Sequence, residues 1–248
     1  MKKLLLFIAI LSISLPVLAQ KNMPVALHYV TVKSSDAEKL IALEKNYFSK
    51  LHKANIDAGE KIGWDMWRLE SSATPEHTTF VYTHLQPNLD SQSFGFGDTD
   101  AYFSKEELAM VQEQWGSMVV DSKFLMTSFK GGFAPIKDQP VNFVQLSYMN
   151  VDPTSHYDYE QMELVNFMPG HKNNTLMKGW ALHRITTPHA ENEPDYLTAN
   201  FFENMEDIYR NSDGVAQLSK QQKMNYQKIL DLREMVNVEV LSLVMAVR

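Results

Sequence analysis

Hydrophobic and polar residues alternate in several short segments of the chain, and segments with helical spacing lie between them. VALHYVTVK at 25–33 alternates and is rich in β-branched and aromatic residues, which predicts a strand. From Ser35, which has capping-box spacing with Glu38, apolar residues recur every three or four positions and predict a helix. The same patterns then predict strands at 64–70, 78–85 and 122–129 and a helix at 104–115. The first half therefore has the order β-α-β-β-α-β.

The second half of the chain repeats this order. Strands are predicted over VQLSYMNV, WALHRITT, DYLTANFF and NVEVLSLVMAV, and helices from about Ser155 and over 220–235. Pro169 and Gly170 are expected to end the first of these helices, because proline interrupts the helical hydrogen bonds. His171 would then lie on the connection to the next strand.

An internal repeat relates the two halves. At an offset of 119, residues 25–53 and 144–172 share 8 of 29 positions, where average composition gives about two by chance. The identical pairs are Val25/Val144, Leu27/Leu146, Tyr29/Tyr148, Val32/Val151, Glu44/Glu163, Phe48/Phe167, His52/His171 and Lys53/Lys172. With a shift of three residues, GWDMWRL lies over GWALHRI, and TFVYTHL is placed over YLTANFF by strand character alone. Such a repeat indicates that one structural unit was duplicated.

The order β-α-β-β-α-β is that of the ferredoxin-like unit. One unit places both helices on one face of its sheet and leaves the other face bare, so that two units within one chain can bury both bare faces. We therefore predict an α+β fold with two tandem ferredoxin-like units, the first over 24–138 and the second over 139–248.

The element order and the repeated VxLxYxxV, ExxxFxxxHK and GWxxxR stretches give residues 24–248 a family resemblance. The chain resembles the dimeric α+β barrel superfamily in its fused, tandem form. Antibiotic-biosynthesis monooxygenases, NIPSNAP-type proteins and chlorite dismutase-like haem proteins belong to that superfamily. The resemblance implies a single-chain dimeric α+β barrel. Since such a fold hosts many chemistries, function has to be argued from a site.

Residues 1–19 have the three parts of a secretory signal peptide. Two lysines precede an apolar run from Leu4, and Val17 and Ala19 fit the −3 and −1 positions of a cleavage site before Gln20. The run is short for a spanning helix, and an uncleaved membrane anchor is the alternative. We expect a periplasmic or secreted soluble protein with no membrane span after signal cleavage.

Composition and charge narrow the classes of partner. The chain has no cysteine, so its core must hold it without disulfides, and 13 Phe, 10 Tyr and 4 Trp are available to fill that core. After signal cleavage, 21 basic residues against 30 acidic ones give a net charge of −9. An acidic surface repels phosphate backbones, so we expect no nucleic-acid partner.

The repeated helix residues are the first candidates for a site. Glu44 and His52, and in the second unit Glu163 and His171, recur at intervals that place them close to one helix face. In a structural interpretation, the glutamate is solvated or paired and the histidine caps the helix end. In a functional one, the carboxylate orients the imidazole at the mouth of a pocket for proton transfer or ligation.

The GWxxxR stretches give the second set of candidates. On a strand, Trp64 shares a face with Arg68, and Trp180 shares a face with Arg184. An indole and a guanidinium on a barrel wall could stack on an anionic ligand and pair with its charge. In the structural interpretation, the tryptophan belongs to the core and the arginine pairs with an acidic neighbour. His183, on the opposite strand face, is a weaker candidate.

Two classes of function remain open. The first is an exported small-molecule-binding protein with an anionic or aromatic ligand, no cofactor and no metal, which could form a homo-oligomer. The second is a haem-dependent or cofactor-independent oxidoreductase or monooxygenase of the same superfamily. The resemblance to chlorite dismutase-like proteins implies that a haem would be ligated by His171, with Arg184 on its distal side. The sequence does not decide whether the chain is an enzyme.

The signal peptide leads to a direct prediction. When the protein is produced in a bacterium with the whole chain encoded, the mature form should begin near Gln20 and leave the cytoplasm. Mass spectrometry of the periplasmic, secreted and cytosolic fractions measures this. A soluble cytosolic protein that retains Met1 would contradict it.

Overall fold

The computed structural model describes residues 22–71, 74–88, 96, 99–135, 141–188, 190, 193–212 and 218–248. The strands are β1 Pro24–Lys33, β2 Gly63–Leu69, β3 His77–Leu85, β4 Val119–Phe133, β5 Phe143–Asn150, β6 Met177–Thr187, β7 Tyr196–Phe202 and β8 Glu234–Val247. The helices are α1 Ala37–Leu43, α2 Ser49–Asp57, α3 Lys105–Met118, α4 His156–Gln161, α5 Met168–Asn173, α6 Met205–Ser212 and α7 Lys220–Leu230. The π-helical segment Glu44–Phe48 joins α1 to α2, and Met162–Phe167 joins α4 to α5.

The eight strands form one closed antiparallel barrel. The strand orders within the units, β4-β1-β3-β2 and β8-β5-β7-β6, are both those of a ferredoxin-like sheet. The units are joined edge to edge, because β2 pairs with β8 and β4 pairs with β6. The predicted α+β fold, a single-chain barrel of two tandem units, is confirmed. The bare sheet faces become the inside of the barrel.

Side chains along each strand alternate between the barrel interior and the helix layer. On β2, Trp67 and Leu69 belong to the cluster inside the barrel, whereas Trp64 and Met66 pack under the helices of the first unit. On β6, Ala181 points inward, and Trp180 packs under the helices of the second unit. Because the barrel interior covers one face of β2 and the helices cover the other, these four β2 side chains are all buried.

Glycine allows close approach where the units join. Gly132 on β4 pairs with Ala181 on β6, and a Cβ at position 132 would lie 2.2 Å from the carbonyl oxygen of Trp180. No side chain fits there. The backbone contact between the two units therefore depends on glycine.

The helices differ from the sequence prediction at several ends. The capping box at Ser35 does not form, because a 3-10 turn, Ser34–Asp36, precedes α1. In the second unit, Pro169 lies in the first turn of α5, where its missing N–H costs little, and the helix continues through His171. The expectation that His171 lies on a connection is therefore wrong. The chain also forms α6, which the pattern does not predict, and ends α7 at Leu230 rather than at 235.

The strand pairing fixes how the repeats superpose. Trp64 pairs with His84 on β3, and Trp180 pairs with Asn200 on β7, so the offset of 116 that relates the tryptophans also relates these partners. The placement of TFVYTHL over YLTANFF is thus wrong by one residue. With the corrected register, His84 corresponds to Asn200.

Two repeated tyrosines meet inside the barrel. The hydroxyls of Tyr29 and its counterpart Tyr148 contact each other, and both lie within hydrogen-bonding distance of Glu239 Oε2, at 2.6 and 2.9 Å. Burial raises the pKa of both phenols well above the usual value, and the nearby carboxylate adds to this. The tyrosines therefore stay protonated and hold the two halves together.

Two predictions, the signal peptide and the boundary between the two units, fall wholly or partly on residues that the structure does not describe. The signal peptide 1–19 lies outside the described residues, as do most residues between β4 and β5, where the units divide. Within the described ranges, no helix has the length and hydrophobicity needed to cross a membrane.

Candidate functional site

Glu44 begins the π-helical segment and points into the first unit. It is 3% exposed, and its Oε1 accepts hydrogen bonds from Tyr82 Oη at 2.9 Å and from Trp115 Nε1 at 3.0 Å. Its Oε2 has no hydrogen-bond partner among the residues that the structure describes. A π-helical turn often marks a functional position. Glu44 is thus held in place and keeps one oxygen available.

Burial changes the acidity of this carboxyl group. Desolvation raises the pKa of Glu44 to about 7, although the hydrogen bonds from Tyr82 and Trp115 act in the opposite direction. Glu44 is therefore divided between its acid and its carboxylate at neutral pH. A group in that state can both accept and return a proton.

His52 continues the same helix face and stacks on Trp64. The ring centroids are 4.5 Å apart with an interplanar angle of 22°, and Trp64 in turn stacks on Tyr82 at 5.7 Å. His52 is 5% exposed. Glu44 and His52 line the same cavity, but no hydrogen bond joins them in the described structure, since Glu44 accepts from Tyr82 and Trp115.

Lys61 supports two histidines from beneath. Its Nζ lies 3.0 Å from Nδ1 of His52 and 3.2 Å from Nδ1 of His84, which comes from β3. Burial lowers the pKa of Lys61 to about 8. Burial and the lysine charge hold the pKa values of His52 and His84 well below the usual value, so both imidazoles are neutral at pH 7.

A cavity of about 230 Å³ lies above these groups, between the helix layer and the barrel wall. Six Phe, Tyr and Trp side chains, three histidines, Glu44 and Gln112 line it. On the side opposite His52, His28 stacks on Phe124 with centroids 3.8 Å apart, and its Nε2 lies 2.8 Å from Ser122 Oγ. The cavity is thus an aromatic slot with a few polar groups.

The second unit keeps the repeated letters in a different environment. Glu163 is 3% exposed and lies beside Tyr159 and the positive charge of Arg233, while burial raises its pKa. His171 stacks on Trp180 with centroids 5.2 Å apart, and burial lowers its pKa to about 4. The Glu, His and Trp arrangement is therefore common to both units.

The arginines of GWxxxR lie apart from these sites. Arg68 pairs with Glu38 at 3.1 Å on the outer surface, as the structural interpretation expects, and Arg184 is exposed. Arg184 is four residues beyond Trp180 on β6, or about 13 Å along the strand. His171 and Arg184 therefore do not meet in one cavity. His183 faces the barrel interior, where its Nδ1 lies 3.1 Å from Thr127 Oγ1.

The structure does not bring together the two residues proposed for a haem. Tyr159, Trp180, Tyr196 and Phe202, each at most 1% exposed, pack between helices and sheet in the second unit. The ring of His171 stacks on Trp180, and Arg184 is exposed on β6. In the described parts of the chain, no group of three or more His, Asp or Glu side chains could hold a metal ion.

Sequence reasoning did not select His28, Lys61, Tyr82, His84 or Trp115. The repeat does distinguish most of these residues, because they differ between the two units, whereas the repeated motifs contain residues that are identical in both. The strand register places Ser147, Thr198 and Asn200 at the positions of His28, Tyr82 and His84, and the sequence offset of 116 aligns Met177 with Lys61. Glu44, His52 and Trp64, which both units share, line the cavity, and polar residues found in the first unit alone complete its surroundings.

Comparison with known proteins identifies the fold. No family model and no curated protein matches the chain. A proposed monooxygenase of Fusobacterium nucleatum has a TM-score of 0.57 at 9% identity, over 90% of this chain and 92% of that one. A proposed monooxygenase of Lactobacillus acidophilus has a TM-score of 0.55 at 10% identity, over 91% and 96%. An anthrone oxidase-like protein has a TM-score of 0.52 at 10% identity, over 92% and 94%. The chain therefore has the dimeric α+β barrel fold.

The acidity of Glu44 predicts how stability depends on pH. A carboxyl group whose pKa is raised in the folded state binds its proton more tightly there, so its ionisation destabilises the fold as pH rises from 4.5 to about 7. Glu44→Gln should remove this effect. Relative to the unchanged protein, the variant should gain about 3 kcal/mol of unfolding free energy between pH 4 and pH 8.

Urea unfolding at both pH values measures the difference. Glu113→Gln, which makes the same change at an exposed position on α3, is the control. If the effect of Glu44→Gln is the same at pH 4 and pH 8, the carboxyl group does not have a raised pKa.

Proposed function

We propose that the cavity of the first unit binds a small planar aromatic molecule that carries a hydroxyl group. The observation that carries this proposal is the state of Glu44. Two protein donors hold its Oε1, its Oε2 has no partner in the described structure, and its pKa is about 7. A ligand hydroxyl can donate to Oε2, and the carboxylate can take up its proton.

The size and lining of the cavity support an aromatic ligand. A volume of about 230 Å³ is below the roughly 300–1,000 Å³ typical of sites for drug-sized ligands, so a compound of one or two rings is the expected size. Tyr82, Trp64 and His52 form a continuous stack along one side. A flat ring laid against them gains apolar contact and favourable offset stacking.

The proposal includes the compartment in which the protein works and the kind of partner that it binds. We propose an exported protein, because its N-terminus has the pattern of a signal peptide, and a small molecule rather than a nucleic acid as its partner. Binding is placed in the first unit, because the second has Met177, Thr198 and Asn200 where the first has Lys61, Tyr82 and His84.

Binding of 2-naphthol tests this function. The compound should bind to the purified mature protein, with quenching of tryptophan fluorescence as the signal. Glu44→Gln should weaken binding about tenfold or more, since a hydrogen bond to a charged group is lost. Affinity for the unchanged protein should also rise from pH 6 to pH 8, as Glu44 becomes ionised.

Glu163→Gln is the matched control, because it alters the same letter of the repeat outside the cavity. It should leave the affinity unchanged, and thermal melting of both variants verifies folding. Equal losses in the two variants, or no binding of 2-naphthol at all, would contradict the proposed site.

A cofactor-independent monooxygenase is the second candidate function. It is favoured by the near-neutral pKa of Glu44, which suits a general base, and the fold neighbours described as monooxygenases are compatible with it. Removal of a phenolic proton by Glu44 leaves an electron-rich aryloxide that can react with O₂. For 1-naphthol the balance is one O₂ consumed, with 1,4-naphthoquinone and water formed, so no further reductant is required.

Oxygen uptake with 1-naphthol tests this activity, and it should be lost in Glu44→Gln and kept in Glu163→Gln. An absorbance spectrum with added haem tests the haem-dependent form. Because the ring of His171 stacks on Trp180 and Arg184 is exposed, we expect no Soret band that depends on His171. A Soret band that disappears in His171→Ala would instead establish a haem site.

A further inference from the structure

Lys61 is brought beneath the cavity by the end of α2. The carbonyl oxygen of Asn55 accepts hydrogen bonds from the backbone N–H groups of Glu60 and Lys61, at 2.9 and 3.3 Å, which turns the chain back under the helix. Lys61 is 2% exposed as a result. The chain thus places a lysine where most proteins would place an apolar residue.

The charge of this lysine is not balanced by an acidic neighbour. Within the described residues, no carboxylate oxygen lies within 4.0 Å of Lys61 Nζ, whose hydrogen-bond partners are the two imidazoles. Although burial lowers its pKa to about 8, the lysine carries its charge at pH 7 in most molecules. A buried cation without a counter-ion is unfavourable, and an anion placed nearby would stabilise it.

The lysine also fixes the histidine protons. An ammonium group has only donors, so Nδ1 of His52 must accept, and the neutral ring must carry its proton on Nε2. That Nε2 has no hydrogen-bond partner among the described residues. Nε1 of Trp64, the ring on which His52 stacks, is buried and also has no partner in the described structure. His52 lines the cavity, so its N–H donor is available to a ligand there.

We infer that this end of the cavity, formed by His52, Trp64 and Lys61, binds the carboxylate of an aromatic hydroxy acid. The inference rests on the proposed function, in which Glu44 receives the hydroxyl group of the same ligand. His52 Nε2 donates to the carboxylate, and the Trp64 ring supports the imidazole from its other side. Lys61 does not touch the ligand and acts as a positioning residue, which orients His52 and supplies the balancing positive charge.

The two ends of the cavity are held by the same strand. Tyr82, which holds Glu44, and His84, which contacts Lys61, are two residues apart on β3 and share one face. The acceptor at one end and the donor at the other fix the direction in which the ligand lies.

The second unit provides the matched substitution. Met177 aligns with Lys61 at the sequence offset of 116, is 6% exposed and packs in the core of its unit. Lys61→Met therefore introduces a side chain that the same fold already accommodates. His52→Phe is a second variant, which keeps a ring against Trp64 and removes the N–H donor.

The experiment compares 6-hydroxy-2-naphthoate with 2-naphthol by calorimetry on the full mature protein at pH 7. The carboxylate should improve affinity about tenfold or more, the range of a hydrogen bond to a charged group. In Lys61→Met and in His52→Phe, the affinities for the two compounds should become nearly equal. Lys53→Met, which changes an exposed lysine on α2, should keep the advantage.

A spectrum of the unchanged protein tests the positioning role without any variant. Long-range ¹H–¹⁵N correlation should show His52 as the neutral tautomer with its proton on Nε2, and Lys61→Met should lose that single tautomer. If 2-naphthol binds and the carboxylate gives no advantage, or if the advantage survives in Lys61→Met, the anion-binding end is refuted and the proposed function stands. If neither compound binds, both proposals fail.

Discussion

Hydrogen bonding between the sheet edges of the two units is the constraint on which the rest of the structure depends. Each unit alone would leave β2 and β4, or β6 and β8, with unpaired backbone groups, and pairing of β2 with β8 and of β4 with β6 removes all four edges. Closure of the barrel also determines which side chains of each strand face the barrel interior. Trp67 is enclosed by the barrel, and Trp64 is left to the helix layer. The candidate site follows from this division, since it lies between helices and barrel wall in one unit.

That location separates the chemistry of the two units. The barrel interior is shared, but each helix layer packs on its own sheet, so the two units can place different residues in that layer. In the first unit, three imidazoles, a carboxyl group and six aromatic side chains line the cavity, and Lys61 lies beneath it. The second unit has Met177, Thr198 and Asn200 where the first has Lys61, Tyr82 and His84. The same repeated residue therefore has a different environment in each unit. Glu44 and Glu163 are both buried, but only the first has Tyr82 and Trp115 as donors.

The sequence predicts the strands well, because alternation with a period of two is a local property of each strand. The order of elements and the repeat then suffice for the barrel. The helix ends are less predictable. Pro169 predicts the end of a helix, but the helix continues, because a π-helical segment precedes it and the first turn of α5 accommodates a proline. Glu44, His52 and Trp64 are predicted as site residues, whereas Lys61 and His84 are not, because their convergence is not local. Lys61 meets His84 only because β2 pairs with β3. Neither residue is identical to its counterpart in the second unit, so the repeated motifs do not include them.

Tyr29 and Tyr148 are equivalent residues in contact, so the approximate twofold axis of the barrel passes between them. Glu239, which both hydroxyls approach, has Leu125 as its counterpart, because Leu146 pairs with Glu239 as Leu27 pairs with Leu125. In a dimer of identical chains every residue occurs twice, and a carboxylate at this place would face a copy of itself across the axis with like charge. Joining the two halves in one polypeptide removes that restriction. A single acid can then serve two tyrosines, which exact symmetry forbids.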